Sequence, residues 1–136
     1  MPVFLDTNIF LYAAGGPHPQ KSACVKILQR VADGSFDATS NTEVVQEILF
    51  VLTRRGRASD AVKLARGVAA LFPNLLPVTR DDMLRACDLI ARQERLSVRD
   101  AVHAATMLNN GVSIVVSVDS DFDHIPGLRR VVPASA

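Results

Sequence analysis

Four carboxylates, Asp6, Glu47, Asp100 and Asp119, stand where their surroundings invite chemistry. Asp6 follows directly on Val3-Phe4-Leu5, an unbroken apolar run of the kind that suits a strand buried on both faces in a parallel sheet. Asp119 follows on Val112–Val118, the most strand-like stretch of the chain. Both acids are then expected at the carboxyl edge of one sheet, where open α/β folds bind ligands. Glu47 lies in a helical pattern among Val44, Val45, Ile48 and Leu49, a costly place for a carboxylate unless it is paired or coordinated. Asp100 opens another helical pattern beside Ala101, Val102, Ala104 and Ala105.

Each acid also has an ordinary explanation. Asp6 suits a strand-to-helix turn, Glu47 the polar edge of its helix, and Asp100 the positive end of a helix dipole. Asp119-Ser120-Asp121 is turn-like. What tells against four separate accidents is that two of the acids end strands. Converging carboxylates with no nearby Lys repel one another, and a hard cation with oxygen ligands, Mg²⁺ or Mn²⁺, is what usually holds such a group together. No His or Cys cluster points to zinc. His103, three residues after Asp100, reads more readily as a packed side chain on an Ala-rich helix than as a ligand.

The elements that must position these acids alternate between strands and helices. A short helix is expected over Ile9–Ala14, stopped by Gly15-Gly16-Pro17, and a second from about Pro19 to Gly34. A weak strand signal covers Phe36–Ser40. The strongest helix runs from about Thr42 to Arg55, and the next from a cap at Ser59 or Asp60 to about Phe72. Leu75–Val78 is a candidate edge strand, with Pro77 limiting its bonding. Thr79 is expected to cap a helix to about Gln93, and Ser97 another from Val98 to Asn109, closed by Asn110-Gly111. Leu128–Val132 is a short last strand. The alternation predicts a single α/β domain over residues 1–136, a parallel sheet sandwiched between helices with right-handed crossovers.

Composition narrows the partners only slightly. Lys and Arg total 15 against 14 acids, so net charge of +1 does not by itself indicate a nucleic-acid partner. Aromatic residues are 5% with no Trp, which argues against a surface built on base stacking. Cys24 and Cys87 fall in helical patterns outside any metal spacing and read as two buried thiols in a reducing cytosol. No apolar run is long enough for a membrane span and no leader opens the chain, so a soluble, cytoplasmic protein is expected.

Four stretches together resemble PIN-domain proteins of the VapC toxin type. They are Phe4-Leu5-Asp6-Thr7-Asn8-Ile9-Phe10, Glu47 in its helix, Ser97-Val98-Arg99-Asp100-Ala101-Val102-His103-Ala104-Ala105, and Ser117-Val118-Asp119-Ser120-Asp121-Phe122. They stand in the family's order and at its separations, and the likeness covers essentially the whole chain. The resemblance implies a three-layer α/β/α sandwich and a Mg²⁺- or Mn²⁺-dependent endoribonuclease. It also implies a homodimer neutralised by a cognate, VapB-like antitoxin. Carried over, Asp6, Glu47, Asp100 and Asp119 are the catalytic and metal-binding acids, Asp121 is a further acid that binds a second metal or orients water, and Asn8 and Ser117 hold the site.

Two metals on such acids would activate water and steady the leaving oxygen, with Asp6 shared between them. Arg99, next to Asp100, is placed for an RNA phosphate. Arg54, Arg55 and Arg57 either hold phosphates or satisfy the carbonyls that end their helix. Two readings compete. One is a catalytically inactive PIN-like module that binds RNA or protein. The other is a phosphatase or receiver-like domain, which needs a Lys late in the chain, whereas the lysines are Lys21, Lys26 and Lys63.

Overall fold

Strand β1 (Val3–Leu5) is the centre of the molecule, with Phe4 and Leu5 fully buried. The computed structural model describes residues 2–93 and 95–136. From β1 the chain runs through helices α1 (Thr7–Ala14) and α2 (Lys21–Ala32) to strand β2 (Ala38–Thr39). Four helices follow: α3 (Thr42–Arg54), α4 (Ala58–Leu71), α5 (Arg80–Arg92) and α6 (Val98–Asn109). Strand β3 (Ile114–Val116), a 3-10 turn over Ser120–His124 and strand β4 (Arg129–Val131) complete the sheet.

All pairings among the described strands are parallel, in the order β2-β1-β3-β4. Parallel neighbours cannot be joined by tight hairpins, which is why helical segments separate them. Leu5 is opposite Val116, and Ser117 N donates to Val131 O (3.1 Å) on the far side. Two central strands therefore end side by side, and the residues just beyond them, Asp6 and Ser117, become neighbours.

The α/β class and parallel sheet agree with the expectation, but four local readings need correction. The strand expected over Val112–Val118 is shorter, because Val112 N is spent on Met107 O (2.9 Å), closing α6. Leu75–Val78 forms no strand but one bridge, Asn41 with Leu76; Pro77 has no N–H to extend it. Ser59 and Asp60 do not cap α4. They lie inside its first turn, the cap position is Arg57, and the Asp60 carboxylate takes the Arg57 guanidinium instead (2.9 Å). Of the two thiols, Cys24 is buried as expected and Cys87 is exposed on α5. No described helix is long and apolar enough to cross a membrane.

Helix α6 is enclosed from Asp100 to Met107. Its small side chains, Ala101, Ala104 and Ala105, let it approach α3 and α5 closely, so its acidic first turn is held rigidly. Asn41 fixes the relation of α3 to α6. It is fully buried, its Oδ1 accepts from Val44 N (2.9 Å) to cap α3, and its Nδ2 donates to Thr106 Oγ1 (3.2 Å). Asn41→Ala removes both bonds and is expected to cost about 2–3 kcal/mol. In urea unfolding the midpoint should fall with the slope unchanged; an unaltered midpoint counts against this role.

Candidate active site and metal centre

Asp6 leaves β1 in extended conformation (φ −72°, ψ 159°) and caps α1, its carboxylate accepting from Thr7 N (2.8 Å). Its other oxygen accepts from the Ser117 hydroxyl (2.6 Å). Ser117 Oγ in turn accepts from Asp119 N (2.9 Å), and Asp119 Oδ1 accepts from Asp121 N (2.9 Å). One chain of bonds thus runs from Asp6 through Ser117 to Asp119 and Asp121. Arg130 closes the loop behind it, donating to Ser117 O (3.2 Å) and gripping both Asp123 oxygens (2.9 Å each).

Asp100 enters from α6, whose cap is Ser97; Ser97 Oγ accepts from Asp100 N (3.1 Å). Oxygens of Asp100, Asp119 and Asp121 all lie within 4.8 Å of one another. Burial pushes the Asp100 carboxyl up to about 9, helped by the hydrogen bond with Asp119 and the charge of Asp6. Burial raises Asp6 as well, against the opposing pull of His103. A compact, oxygen-only donor set that cannot ionise fully without an added positive charge fits a hard divalent cation such as Mg²⁺ or Mn²⁺.

Glu47 stands on the other side of Asp6. Its Oε1 accepts from the Thr7 hydroxyl (2.7 Å) and lies 3.3 Å from His103 Nε2. His103 is fully buried, packs beside the Phe4 ring and reaches Asp6 Oδ1 at 3.8 Å. With Nε2 facing Glu47, His103 Nδ1 has no partner among the described residues. Burial would raise Glu47, but the bonds from His103 and Thr7 outweigh it and hold the carboxyl below its ordinary value. The environment therefore splits the acids, favouring the proton on Asp100 and the charge on Glu47.

The structure brings Asp6, Glu47, Asp100, Asp119 and Asp121 to one edge, with Ser117 at the centre of their bonding. Asp121 joins Asp100 and Asp119 in the tight group, whereas Glu47 is tied to Thr7 and His103. Asn8 is half-buried and makes no side-chain hydrogen bond with the described residues. Arg99 lies at the rim, its charge acting on Glu43 and Glu47. Thr7, Glu43 and the pairing of His103 with Glu47 were not foreseen. The signals for them were faint: Glu43 precedes Glu47 by one helical turn, and His103 follows Asp100 at a same-face spacing.

A family model described as PIN domain matches residues 3–128. A VapC ribonuclease of Mycobacterium bovis is 32% identical over 131 residues, covering 95% of this chain and 98% of its own. Ribonuclease VapC7 of Mycobacterium tuberculosis is 32% identical over 138 residues, covering 98% and 93%. Among solved structures, Mycobacterium tuberculosis VapC20, a toxin that cleaves the sarcin-ricin loop, superposes with a TM-score of 0.71. It is 22% identical, with 89% of this chain and 92% of that one covered. VapBC2 from Rickettsia felis, bound to a fragment of promoter DNA, also gives 0.71 at 15% identity, with 97% and 98% covered. With its sheet order, its acidic edge and its relatives in accord, the chain belongs to the PIN-domain family.

Proposed function

We propose that this chain is a Mg²⁺- or Mn²⁺-dependent endoribonuclease and the toxin of a toxin–antitoxin pair. The observation that carries the reading is the join of Asp6 to Asp119 through the Ser117 hydroxyl, with Asp100 facing them from α6. Asp6, Glu47, Asp100 and Asp119 are the acids that would hold the ion, with Asp121 completing the set around Asp100 and Asp119. A bound divalent cation supplies an activated water and shields charge on the phosphoryl oxygens. The chain's own part is to aim and charge the carboxylates. Thr7 N and Ser117 fix both Asp6 oxygens, while Thr7 Oγ1 and His103 fix Glu47. A carboxylate held below its ordinary pKa is a poor proton acceptor, so Glu47 contributes charge and orientation rather than general-base catalysis. No residue of the chain need become covalently attached to the phosphate.

VapBC2 of Rickettsia felis and a toxin–antitoxin complex from Klebsiella pneumoniae, which shares this fold, support an antitoxin partner. A groove of about 340 Å³ between α1, α3 and α4, lined by Leu11, Leu52 and Leu64 but also by the charged Arg57, Asp60 and Lys63, is a suitable seat for it. We place the protein in the cytoplasm, as a homodimer of one-domain chains. A catalytically inactive binding module on the same fold is the competing reading, and the complete set of acids speaks against it.

The test is RNA cleavage by the purified chain with Mg²⁺ or Mn²⁺, with and without EDTA, alongside Asp6→Asn. Cleavage should vanish with EDTA and in the variant, where Asn can still accept from Thr7 N and so preserve the cap. Folded protein that gains no thermal stability from either cation and cuts no RNA would favour the binding module.

A further inference from the structure

One face of α3 leads outward from the acids. Glu43, Glu47, Phe50 and Arg54 follow at steps of four, three and four, the spacing of a single helical ridge. Phe50 is 40% exposed, a large ring left in water one turn from Glu47. Two guanidinium groups lie over it. The Arg99 carbon is 4.5 Å from the ring centroid and the Arg54 carbon 5.3 Å. Elsewhere Arg57 and Arg130 are committed to Asp60 and Asp123. Among the described residues, Arg54 and Arg99 have no carboxylate within 4.0 Å and donate no hydrogen bond. Arg54 therefore does not serve the carbonyls at the end of α3.

We propose that Phe50, Arg54 and Arg99 form a phosphate clamp for the RNA strand beside the acidic site, with the Phe50 ring holding both guanidinium groups in place. The proposal rests on the ribonuclease reading and adds how the strand is gripped. A strand entering a group of carboxylates is repelled, and a net charge of +1 steers it weakly. Two arginines at the rim supply attraction where it is needed. Guanidinium is planar and offers paired N–H groups to phosphate. A guanidinium held over a ring has less freedom left to lose on binding. The clamp reads backbone rather than bases, so its contribution is independent of sequence.

The test uses Asp6→Asn protein in EDTA, so that RNA is bound and not cut. Fluorescence anisotropy follows a labelled single-stranded oligouridylate between about 50 and 200 mM salt. Arg54→Gln and Arg99→Gln should each weaken binding and lower the salt slope by about 0.7. Phe50→Leu removes no charge, yet should weaken binding about fivefold, and Phe50→Tyr should restore it. Circular dichroism confirms that each variant is folded. Binding by Phe50→Leu equal to its parent overturns the proposal, as does an unchanged slope in both Arg variants or no measurable binding by the parent. A shift of oligomeric state in sedimentation, with RNA affinity unchanged, also overturns it and makes this face an interface between copies. If the wild type cuts no RNA while the variants still change binding, the clamp stands and the ribonuclease reading fails.

Discussion

Asp100→Asn is expected to melt higher than the parent in EDTA at neutral pH while losing RNA cleavage by on the order of a thousandfold. Asp100 is almost fully buried and its carboxyl is pushed up to about 9, first by burial, then by the bond with Asp119 and the charge of Asp6. Without a cation the folded protein therefore favours a proton within this group of acids that the unfolded chain has released. Asn needs no such proton, and its Nδ2 can donate toward Asp119 where the protonated acid would. A gain of 1 kcal/mol corresponds to about 4 °C in a domain of this size. The gain should grow with pH and disappear near pH 4, where the unfolded chain is protonated as well. Activity moves the other way, because a cation contributes several kcal/mol to phosphoryl chemistry and each 1.36 kcal/mol is tenfold. Thermal melts and cleavage assays on the same preparation read both effects. A variant that melts lower and cuts normally would place Asp100 among structural acids.

The second large effect is on the parent itself. In EDTA its stability should fall as pH rises from about 5 to 9, and saturating Mg²⁺ or Mn²⁺ should reverse the trend. A carboxyl whose folded pKa is raised binds more protons in the native state. Its favourable contribution is present below the unfolded value and lost as pH climbs toward the folded one. Asp100, from 3.8 to about 9, sets that window, and Asp6 shifts in the same direction. Each such group gives a slope of at most about 1.4 kcal/mol per pH unit. Glu47 acts oppositely: its pKa is lowered, so its contribution is present above its unfolded 4.5 and lost in acid. The cation-free protein should thus be most stable near pH 5. A melting temperature that is flat or rising between pH 5 and 8 in EDTA would show that the acids do not crowd one another as described. Calorimetric titration with Mn²⁺ in buffers of different ionisation enthalpy should show proton release.

Asp6 could be placed from sequence because it directly follows a short apolar run that suits a buried strand, and Asp119 because it lies just past the most strand-like stretch of the chain, three residues beyond the last residue of β3. Glu47 betrayed itself by its apolar neighbours. The strand over Ile114–Val116 is shorter than the pattern over Val112–Val118 implies, because apolar character does not reveal that Val112 N turns back to Met107. The family resemblance implies that Ser117 holds the site; the link it makes depends on Leu5 lying opposite Val116 and is not legible in residue patterns. A shift of the register would break it while leaving every hydrophobic pattern intact. His103 is packed, as its Ala-rich helix implies, but its partner Glu47 belongs to another helix 56 residues away. The same limit hid the placing of Arg99 over the Phe50 ring, a contact between α6 and α3. Residue types showed which acids matter; the crossing of elements decided what each one touches.

The bond between Asp6 and Ser117 joins positions 111 apart in the chain. A ribosome delivers Asp6 well before Ser117, Asp119 and Asp121. Until β3 emerges, β1 has no partner on that edge and the acids at the first strand stand apart from those at the third. An unfinished chain cannot assemble the group. A chain that stops before Ser117 keeps Asp6, Glu47 and Asp100 but lacks the hydroxyl that ties Asp6 to the Asp119 segment, so the group of acids is complete only once β3 has joined β1.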